Sequence, residues 1–261
     1  LIHFQVFMSL NERRRKIFEL VKNSGYMPIE KLVSNFKVTP QTIRFDLNAL
    51  ADEGRLVRHH GGASIPSSVI NTDFDSRRSD FARVKANLGK AVAEAVTDRS
   101  SVFISLGTTM ISVAKALCVR SGLKIITNNL EAAQILSKQP GFEVIVIGGR
   151  LESRNFGTSG SIAMETVANY RPDFCVFSIG GIDHDGQLLD YYENEAAIVR
   201  SMIKGSRKRI LVVDHSKFGR SASVLVGDFE SIDQLFTDKP PPLALRNILK
   251  KKKTQLIKIS K

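Results

Sequence analysis

The stretch VTPQTIRFDLNAL, residues 38–50, has the pattern of the second helix of a DNA-binding helix-turn-helix. Thr39 can cap the first turn, and Pro40 suits the first helical position, where its missing N–H costs nothing. At 100° per residue the apolar side chains fall on one stripe, which is predicted to face a core. That stripe comprises Ile43, Leu47 and Leu50.

The opposite face of this helix is polar except for one aromatic residue, Phe45, which we expect to be exposed. An exposed phenyl ring can touch a thymine methyl in the major groove, while Gln41 and Asn48 can pair with adenine. Arg44 can contact guanine or phosphate. Packing of Phe45 against the segment that follows is the alternative, and the sequence leaves it open.

The flanking segments complete a winged helix-turn-helix. NERRRKIFELVKNSG (11–25), with Asn11 available as a cap, and PIEKLVSNF (28–36) have helical apolar spacing. GRLVRHHGGASIP (54–66) alternates and turns at glycines, as a two-stranded wing would, and its adjacent histidines lack metal-ligand spacing. The candidate DNA-contacting residues are Thr39, Gln41, Thr42, Arg44, Phe45, Asn48, Arg58, His59 and His60.

Positive charge is concentrated at the two ends of the chain. The formal net charge is +12, with ten Lys/Arg against six Asp/Glu in residues 1–66 and seven against none in residues 246–261. This distribution favours a polyanionic partner. For KKKTQLIKISK (251–261), a solvated tail is the simpler interpretation.

Several classes of protein are disfavoured. No apolar run approaches the roughly 18 residues of a membrane span, and LIHFQVF at the start is too short for a signal peptide, so we expect a cytoplasmic protein without a membrane partner. Met8 precedes a polar segment and is the expected translated start. Cys118 and Cys175 match no metal or redox spacing and are expected to be small buried residues, with no metal or cofactor.

The pattern of residues 81–261 predicts a separate α/β domain. We expect a winged helix-turn-helix over residues 10–65, a linker over 66–80, and an effector-binding and oligomerisation domain over 81–261. Strand-like runs alternate with helical segments, which indicates a mainly parallel sheet covered by helices on both faces. These runs are SVFISL, KIITN, EVIVIG, FCVFSIG, RILVVD and QLFTD.

The ends of these strands carry residues suited to an anionic ligand, as expected for parallel sheets. A Gly-Thr-Thr loop offers backbone amides and hydroxyls, asparagines can orient ligand hydroxyls, and a lysine supplies positive charge. The alternative is that the glycines only make turns and the lysine is a surface charge. The candidates are Gly107, Thr108, Thr109, Asn128, Asn129, Gly148, Gly149, Gly180, Gly181 and Lys217.

The sequence resembles the DeoR family of bacterial transcriptional repressors. The resemblance runs through YMPIEKLVSNFKVTPQTIRFDLNALADEGRLVRHHGGASIPSS (26–68) and continues through SLGTT, IITNNLEAA, VIGG, SIGGID, LVVDHSKFGR and TDKPPP in the family's order. RHHGGASIPSSVINT and VVDHSKFGR are most similar to the branch that represses genes of glycerol 3-phosphate metabolism. The resemblance implies a homo-oligomer that binds operator DNA and releases it when a phosphorylated metabolite, glycerol 3-phosphate in that branch, binds a sugar-phosphate-isomerase-like sensor domain.

The resemblance also places Asp190 and Glu195 in the segment that supplies acidic effector-site residues. Four positions depart from the family pattern: Phe45 replaces an arginine, Ser105 an aspartate, Tyr192 a frequently acidic residue and Val199 a frequently basic one. Two alternatives to a ligand-responsive, non-enzymatic repressor remain open. One is an isomerase-like enzyme with a DNA-binding appendage, which would need a catalytic carboxylate of the kind Ser105 removes. The other is a DNA-binding repressor that has lost its effector response.

Overall fold

The computed structural model describes residues 9–59, 61–67, 69–71 and 73–259. The chain divides into two compact units between Ser67 and Ser68, inside the segment 66–80 that was interpreted as a linker. Part of that segment, Phe74–Ser79, is helical. Met8 and His60 lie outside the described residues.

The N-terminal unit contains three helices and three short strands. They are α1 (Leu10–Ser24), β1 (Tyr26–Pro28), α2 (Ile29–Phe36), α3 (Pro40–Asp52), β2 (Val57–His59) and β3 (Gly62–Ser64). Ser9, rather than Asn11, caps α1 by accepting a hydrogen bond from the Glu12 amide. Thr39 caps α3 as the sequence predicts, with Pro40 in its first turn.

The predicted wing is present and carries one more strand than expected. β2 and β3 pair antiparallel as a hairpin, and β3 also pairs with β1, which gives the order β1-β3-β2. A three-residue strand before α2 has too little alternation to be recognised in the sequence. The sheet therefore ties the wing to the residues just before α2.

The core of this unit confirms the apolar stripe of α3, because Ile43, Leu47 and Leu50 are fully buried. Asp46, beside that stripe, is also fully buried and was not anticipated. Its carboxylate accepts hydrogen bonds from Arg13 Nε at 2.5 Å and Arg14 Nε at 3.2 Å. A charged contact thus links α1 to α3 at the edge of the apolar core.

The C-terminal unit is an α/β domain. Its elements are α4 (Phe74–Ser79), α5 (Ala82–Ala95), β4 (Ser101–Ile104), α6 (Thr108–Leu117), β5 (Lys124–Thr127), α7 (Leu130–Leu136), β6 (Glu143–Val146), β7 (Arg150–Glu152), β8 (Gly157–Ser159), α8 (Ser161–Ala168), β9 (Phe174–Phe177), β10 (Gly181–Ile182), β11 (Gln187–Asp190), α9 (Glu193–Gly205), β12 (Lys208–Val212), β13 (Val224–Asp228), β14 (Gln234–Thr237), α10 (Leu243–Lys251) and β15 (Gln255–Lys258).

Seven strands form one parallel sheet in the order β15-β14-β12-β9-β4-β5-β6. All six strand-like runs of the sequence are strands of this sheet. The solvated-tail interpretation of residues 251–261 is wrong for Gln255–Lys258, which pair with β14 as an edge strand. Alternating side chains of β4 and β9 enter separate cores on the two faces, as in a doubly covered sheet.

The strand order reverses direction at β4. The chain proceeds from β4 to β5 and β6 on one side and then returns to β9, β12, β14 and β15 on the other. The connections that leave β4 and β9 therefore run to opposite sides of the sheet order, and a crevice is expected at the carboxyl ends of these two strands. A smaller antiparallel sheet, β10-β11-β13, follows β9 in the chain, and β7 and β8 form a separate hairpin.

Both cysteines are free thiols; Cys175 is buried, with its pKa raised by burial, and Cys118 is half-buried. Across the described ranges, no helix has the length and apolarity to span a bilayer. Within the same ranges, no group of three or more His, Cys, Asp and Glu side chains is placed to hold a metal ion.

The buried carboxylate of Asp46 generates a prediction about stability. Asp46→Ala leaves Arg13 and Arg14 without their shared partner and should lower the free energy of unfolding by about 1–3 kcal/mol, because both arginines keep some access to water. Glu19→Ala, at an exposed position of α1, should change it by less than about 0.5 kcal/mol. Urea unfolding followed by circular dichroism measures both, and equal effects would contradict the structural role of Asp46.

Candidate functional site

The outer face of α3 has the composition expected of a recognition surface. Gln41, Arg44, Phe45 and Asn48 are all exposed, and 60% of the Phe45 surface is accessible. The predicted exposure of Phe45 is thus confirmed. Its ring lies beside the Arg14 guanidinium of α1, so the alternative of packing into the hairpin is not what the structure has.

Two of the candidate DNA-contacting residues, Thr39 and Thr42, stabilise the start of α3. Thr39 Oγ1 accepts a hydrogen bond from the Thr42 amide at 3.2 Å and lies 2.9 Å from Thr42 Oγ1. The pair therefore fixes the first turn of the helix, which determines where the following exposed side chains point. Their contact with DNA stays a prediction.

The wing side chains are connected to α3 and to one another. Arg58 Nη1 donates a 2.7 Å hydrogen bond to Asn48 Oδ1, which joins two of the candidate residues. Because that oxygen is engaged, pairing of Asn48 with adenine through both amide atoms would require Arg58 to move. His59 Nε2 lies 2.8 Å from Ser64 Oγ, and its ring packs edge-on against Tyr26.

In the C-terminal unit, the Gly-Thr-Thr loop occupies the crevice at the end of β4. Gly107 has a φ of 122°, a conformation that favours glycine, and it precedes the first residue of α6. The start of α6 thus lies directly beyond the strand end, with Thr108 and Thr109 in its first turn and buried. A helix start in this position presents amide donors and the positive end of the helix dipole.

Two basic residues that the sequence analysis did not identify stand beside this loop. Lys85 is buried on α5, and its Nζ donates a 3.1 Å hydrogen bond to Thr108 Oγ1 and another to the carbonyl of Arg77. Burial lowers the pKa of Lys85, and Asp214 and Asp80 oppose that shift. Arg77 lies in the segment predicted to be a linker. Burial, followed by the charge of neighbouring Arg220, lowers the pKa of Arg77.

Lys217 is the most strongly perturbed cation of the site. Burial, followed by the charge of Arg220, lowers the pKa of Lys217 to about 7, although Asp214 acts in the opposite direction. Asp214 is not within ion-pair distance; its Oδ1 instead accepts hydrogen bonds from the amide and hydroxyl of Ser216 and so caps the short 3₁₀ turn His215–Lys217. In the described ranges, no carboxylate forms an ion pair with Lys217.

The two acidic candidates also enter this electrostatic group. Burial, followed by the charge of Glu195, raises the pKa of Asp190 to about 6. Gly180 packs closely against this carboxylate. A Cβ at residue 180 would lie 3.1 Å from Asp190 Oδ1 and 2.8 Å from the Tyr191 ring. Glu195 Oε1 accepts hydrogen bonds from Arg154 and Asn155 at 3.0 Å each, so its charge is already compensated.

The adjacent asparagines after β5 have different roles. Asn129 caps α7 through a 3.1 Å hydrogen bond from the Ala132 amide, and its Nδ2 reaches the Ser105 carbonyl at 3.4 Å. Asn128 Nδ2 donates to the Thr158 carbonyl at 3.1 Å, which fixes the orientation of the amide. Its Oδ1 is buried and accepts no hydrogen bond from any described residue. Asn128 is thus the asparagine with an acceptor to offer.

Gly149 and Gly181 are required for backbone packing. A Cβ on Gly149 would overlap the Ser159 carbonyl, and one on Gly181 would overlap the Arg220 carbonyl. Gly148 has only Ile162 nearby. For these three glycines the turn-making alternative is sufficient, although Gly181 also positions the loop of Arg220, whose Nε donates to Tyr191 Oη at 2.7 Å.

The exposed face of α3 generates a prediction about DNA binding. Arg44→Ala should weaken binding to a duplex selected from a random library, and it should make the salt dependence shallower by about one unit if Arg44 neutralises a phosphate. If Arg44 reads guanine instead, base preference at one position should be relaxed. Lys22→Ala, at the far end of α1, should change neither quantity; unchanged affinity and preference in Arg44→Ala would refute the assignment of this face.

Comparison with known proteins agrees with both units. Residues 13–69 match the DeoR-like helix-turn-helix domain, and residues 81–239 match the DeoR C terminal sensor domain. The chain is 43% identical over 242 residues to the glycerol-3-phosphate regulon repressor of Escherichia coli K12, covering 93% of this chain and 96% of that protein. It is 41% identical over 247 residues to the transcriptional repressor CsqR of the same organism, covering 95% of each chain.

Among solved structures, ribose 5 phosphate isomerase A from Neisseria gonorrhoeae aligns with a TM-score of 0.38 and 13% identity, covering 57% of this chain and 56% of that one. The matches to the two domains and to the full-length relatives are what assign the family. The chain belongs to the DeoR family, with an N-terminal helix-turn-helix domain and a C-terminal sensor domain.

Proposed function

We propose that this protein is a transcriptional repressor that binds operator DNA through α3 and the wing, and that a phosphorylated polyol, glycerol 3-phosphate, releases it. The repressor class is supported by both domains and by relatives named as repressors. One helix-turn-helix per chain favours a symmetric homo-oligomer on repeated half-sites. The identity of the ligand is argued from the site, together with the name of the regulon in several relatives.

The observation that carries the proposal is a cluster of basic side chains that includes two buried lysines, Lys85 and Lys217. Four basic side chains influence one another at the carboxyl ends of the strands, and they are Arg77, Lys85, Lys217 and Arg220. Of the acids nearby, Glu195 is paired with Arg154, Asp190 has a raised pKa, and Asp214 accepts hydrogen bonds from Ser216. Within the described residues, neither Lys85 nor Lys217 forms an ion pair with a carboxylate, and a dianionic phosphate would offset the cost of burying these two cations.

Asn128 provides an argument about the part of the ligand other than its phosphate group. Asn128 Oδ1 is a buried acceptor without a hydrogen-bond donor among the described residues, and a buried unpaired acceptor is unfavourable. Asn128 follows β5, whose register places Thr127 opposite Ile104 of β4, so it stands beside the Gly-Thr-Thr loop. A ligand hydroxyl would satisfy it, which favours a phosphorylated polyol over a simple phosphate.

These same features weigh against a repressor that has lost its effector response. A site that no longer binds an anion gains nothing from keeping Lys217 protonated in a buried position beside Arg220. Selection for stability alone would tolerate replacement of such cations by apolar residues of similar volume. The presence of this cluster therefore supports a ligand-responsive protein.

The lowered pKa of Lys217 generates a pH prediction. The protonated lysine attracts phosphate, and its pKa of about 7 means that it loses its charge as pH rises above 7. Affinity for glycerol 3-phosphate should therefore fall between pH 7 and pH 9, by up to about tenfold per unit at the upper end. Isothermal titration calorimetry of the full chain measures this fall.

Two substitutions isolate the contribution of Lys217. Lys217→Arg keeps its charge throughout this range and should lose most of the pH dependence, whereas Lys204→Arg, at an exposed position of α9, should behave as the parent does. Lys217→Ala should still bind operator DNA but respond poorly to the ligand. A pH-independent parent affinity would place Lys217 outside the ligand site.

Asn128 generates a prediction about ligand choice. The parent should bind glycerol 3-phosphate roughly tenfold more tightly than propyl phosphate, which lacks the hydroxyls. Asn128→Ala should reduce this preference, and Asn169→Ala, at an exposed helix end, should keep it. Equal affinity of the parent for the two esters would show that no hydroxyl meets Asn128.

A further inference from the structure

Arg14 and Phe45 form a contact on the exposed side of the N-terminal unit. This contact belongs neither to a helix cap nor to the apolar core. The Arg14 guanidinium lies over the Phe45 ring, with its central carbon 5.4 Å from the ring centroid. The ring belongs to the recognition face of α3, and most of it is accessible. A cation held over an aromatic ring at such a position is oriented but only partly shielded.

The charges around Asp46 leave Arg14 with a surplus. Asp46 is a single carboxylate, and Arg13 Nε already binds it at 2.5 Å, while Arg14 Nε binds it more weakly at 3.2 Å. The group of these three side chains therefore has a net charge of +1. Within the described residues, no other contact engages the Nη atoms of Arg14, so four N–H donors remain for an acceptor.

We infer that Arg14 is a DNA-contacting residue, whose Nη atoms bind a backbone phosphate while Asp46 and the Phe45 ring hold the guanidinium in place. This inference rests on the proposed operator binding and adds a residue of α1 to the interface. A planar guanidinium can bind a phosphate through two parallel hydrogen bonds. Phe45 then acts both as a platform for Arg14 and as a contact to the base edge.

The arrangement also accounts for an aromatic residue at position 45. A ring at this position contributes no charge of its own, but it positions a cation that α1 supplies. Phosphate affinity near the recognition helix therefore depends on two residues 31 positions apart in the sequence. Arg15, the next residue of α1, is exposed and has no comparable support, so it provides a matched control.

The test uses the full-length chain and a duplex that the parent selects from a random library. Arg14→Gln should weaken binding by about fivefold near 0.15 M salt and make the salt slope shallower by about one unit, because one phosphate contact is lost. Arg15→Gln should leave the slope unchanged. Arg14→Lys should keep most of the slope, since it keeps the charge, and should lose part of the affinity.

Phe45→Leu removes the aromatic ring under Arg14 and keeps the charge of Arg14. In a double-mutant cycle, the effect of Arg14→Gln on affinity should be smaller in the Phe45→Leu background than in the parent, since the guanidinium is no longer held. Circular dichroism and thermal unfolding establish that each variant is folded. Arg14→Gln retains the pairing of Asp46 with Arg13, so it should fold.

The outcomes distinguish this inference from the proposed function. If Arg14→Gln binds with the affinity and salt slope of the parent while Arg44→Ala does not, Arg14 is a structural residue and the inference is overturned. Loss of affinity in Arg14→Gln with an unchanged salt slope would overturn it as well. If the parent selects no duplex from the library, operator binding itself fails.

Discussion

Buried positive charge at the carboxyl ends of β4, β9 and β12 is the constraint on which the arrangement of the sensor unit depends. The strand order reverses at β4, and ligands of parallel sheets bind where the connections leave on opposite sides of such a reversal. Lys85 and Lys217 belong to different elements, and the charge of Lys85 contributes to lowering the pKa of Lys217. Such an arrangement is unfavourable in an empty site and becomes favourable when an anion enters.

The residues around these cations limit which ligands fit. Glu195 is compensated by Arg154 and Asn155, so it leaves the phosphate attraction largely intact and can still face a neutral hydroxyl group. Asn128 and Asn129 are adjacent in sequence, yet only Asn128 leaves an acceptor unused. In the proposed function, the positive charge attracts the phosphate group of the ligand, and the Asn128 amide accepts a hydrogen bond from one of its hydroxyls. Neither feature alone would specify a phosphorylated polyol.

The sequence predicted the features that depend on local periodicity. Six strands of the parallel sheet, the cap and core face of α3, and the exposure of Phe45 all follow from spacing. What it missed depends on contacts between distant segments. Arg77 lies in a polar stretch that reads as a linker, and Lys85 lies on an amphipathic helix among several other lysines. Only tertiary packing buries Lys85 and brings Arg77 close to Arg220.

Contacts between distant segments also explain why Asp46, β15 and the small antiparallel sheet were not predicted from the sequence. Asp46 reads as a surface residue of a helix until α1 brings two arginines to it. β15 lies in a strongly basic tail, where charge outweighed the short apolar run Leu256–Ile257 that pairs with β14. The antiparallel strands β10, β11 and β13 are short, and a register irregularity between Leu188 and Leu189 interrupts their alternation.

The proposed switch is the binding of a phosphorylated polyol to the sensor domain, which lowers affinity for DNA. Its most direct test is a titration of the complex between the full-length chain and its selected duplex, monitored by fluorescence anisotropy, with glycerol 3-phosphate, glycerol, inorganic phosphate and a panel of phosphorylated three- to six-carbon metabolites. Release of the duplex by glycerol 3-phosphate at concentrations where glycerol and inorganic phosphate leave it bound is the predicted result. A complex that stays bound in the presence of every phosphorylated metabolite would contradict the account.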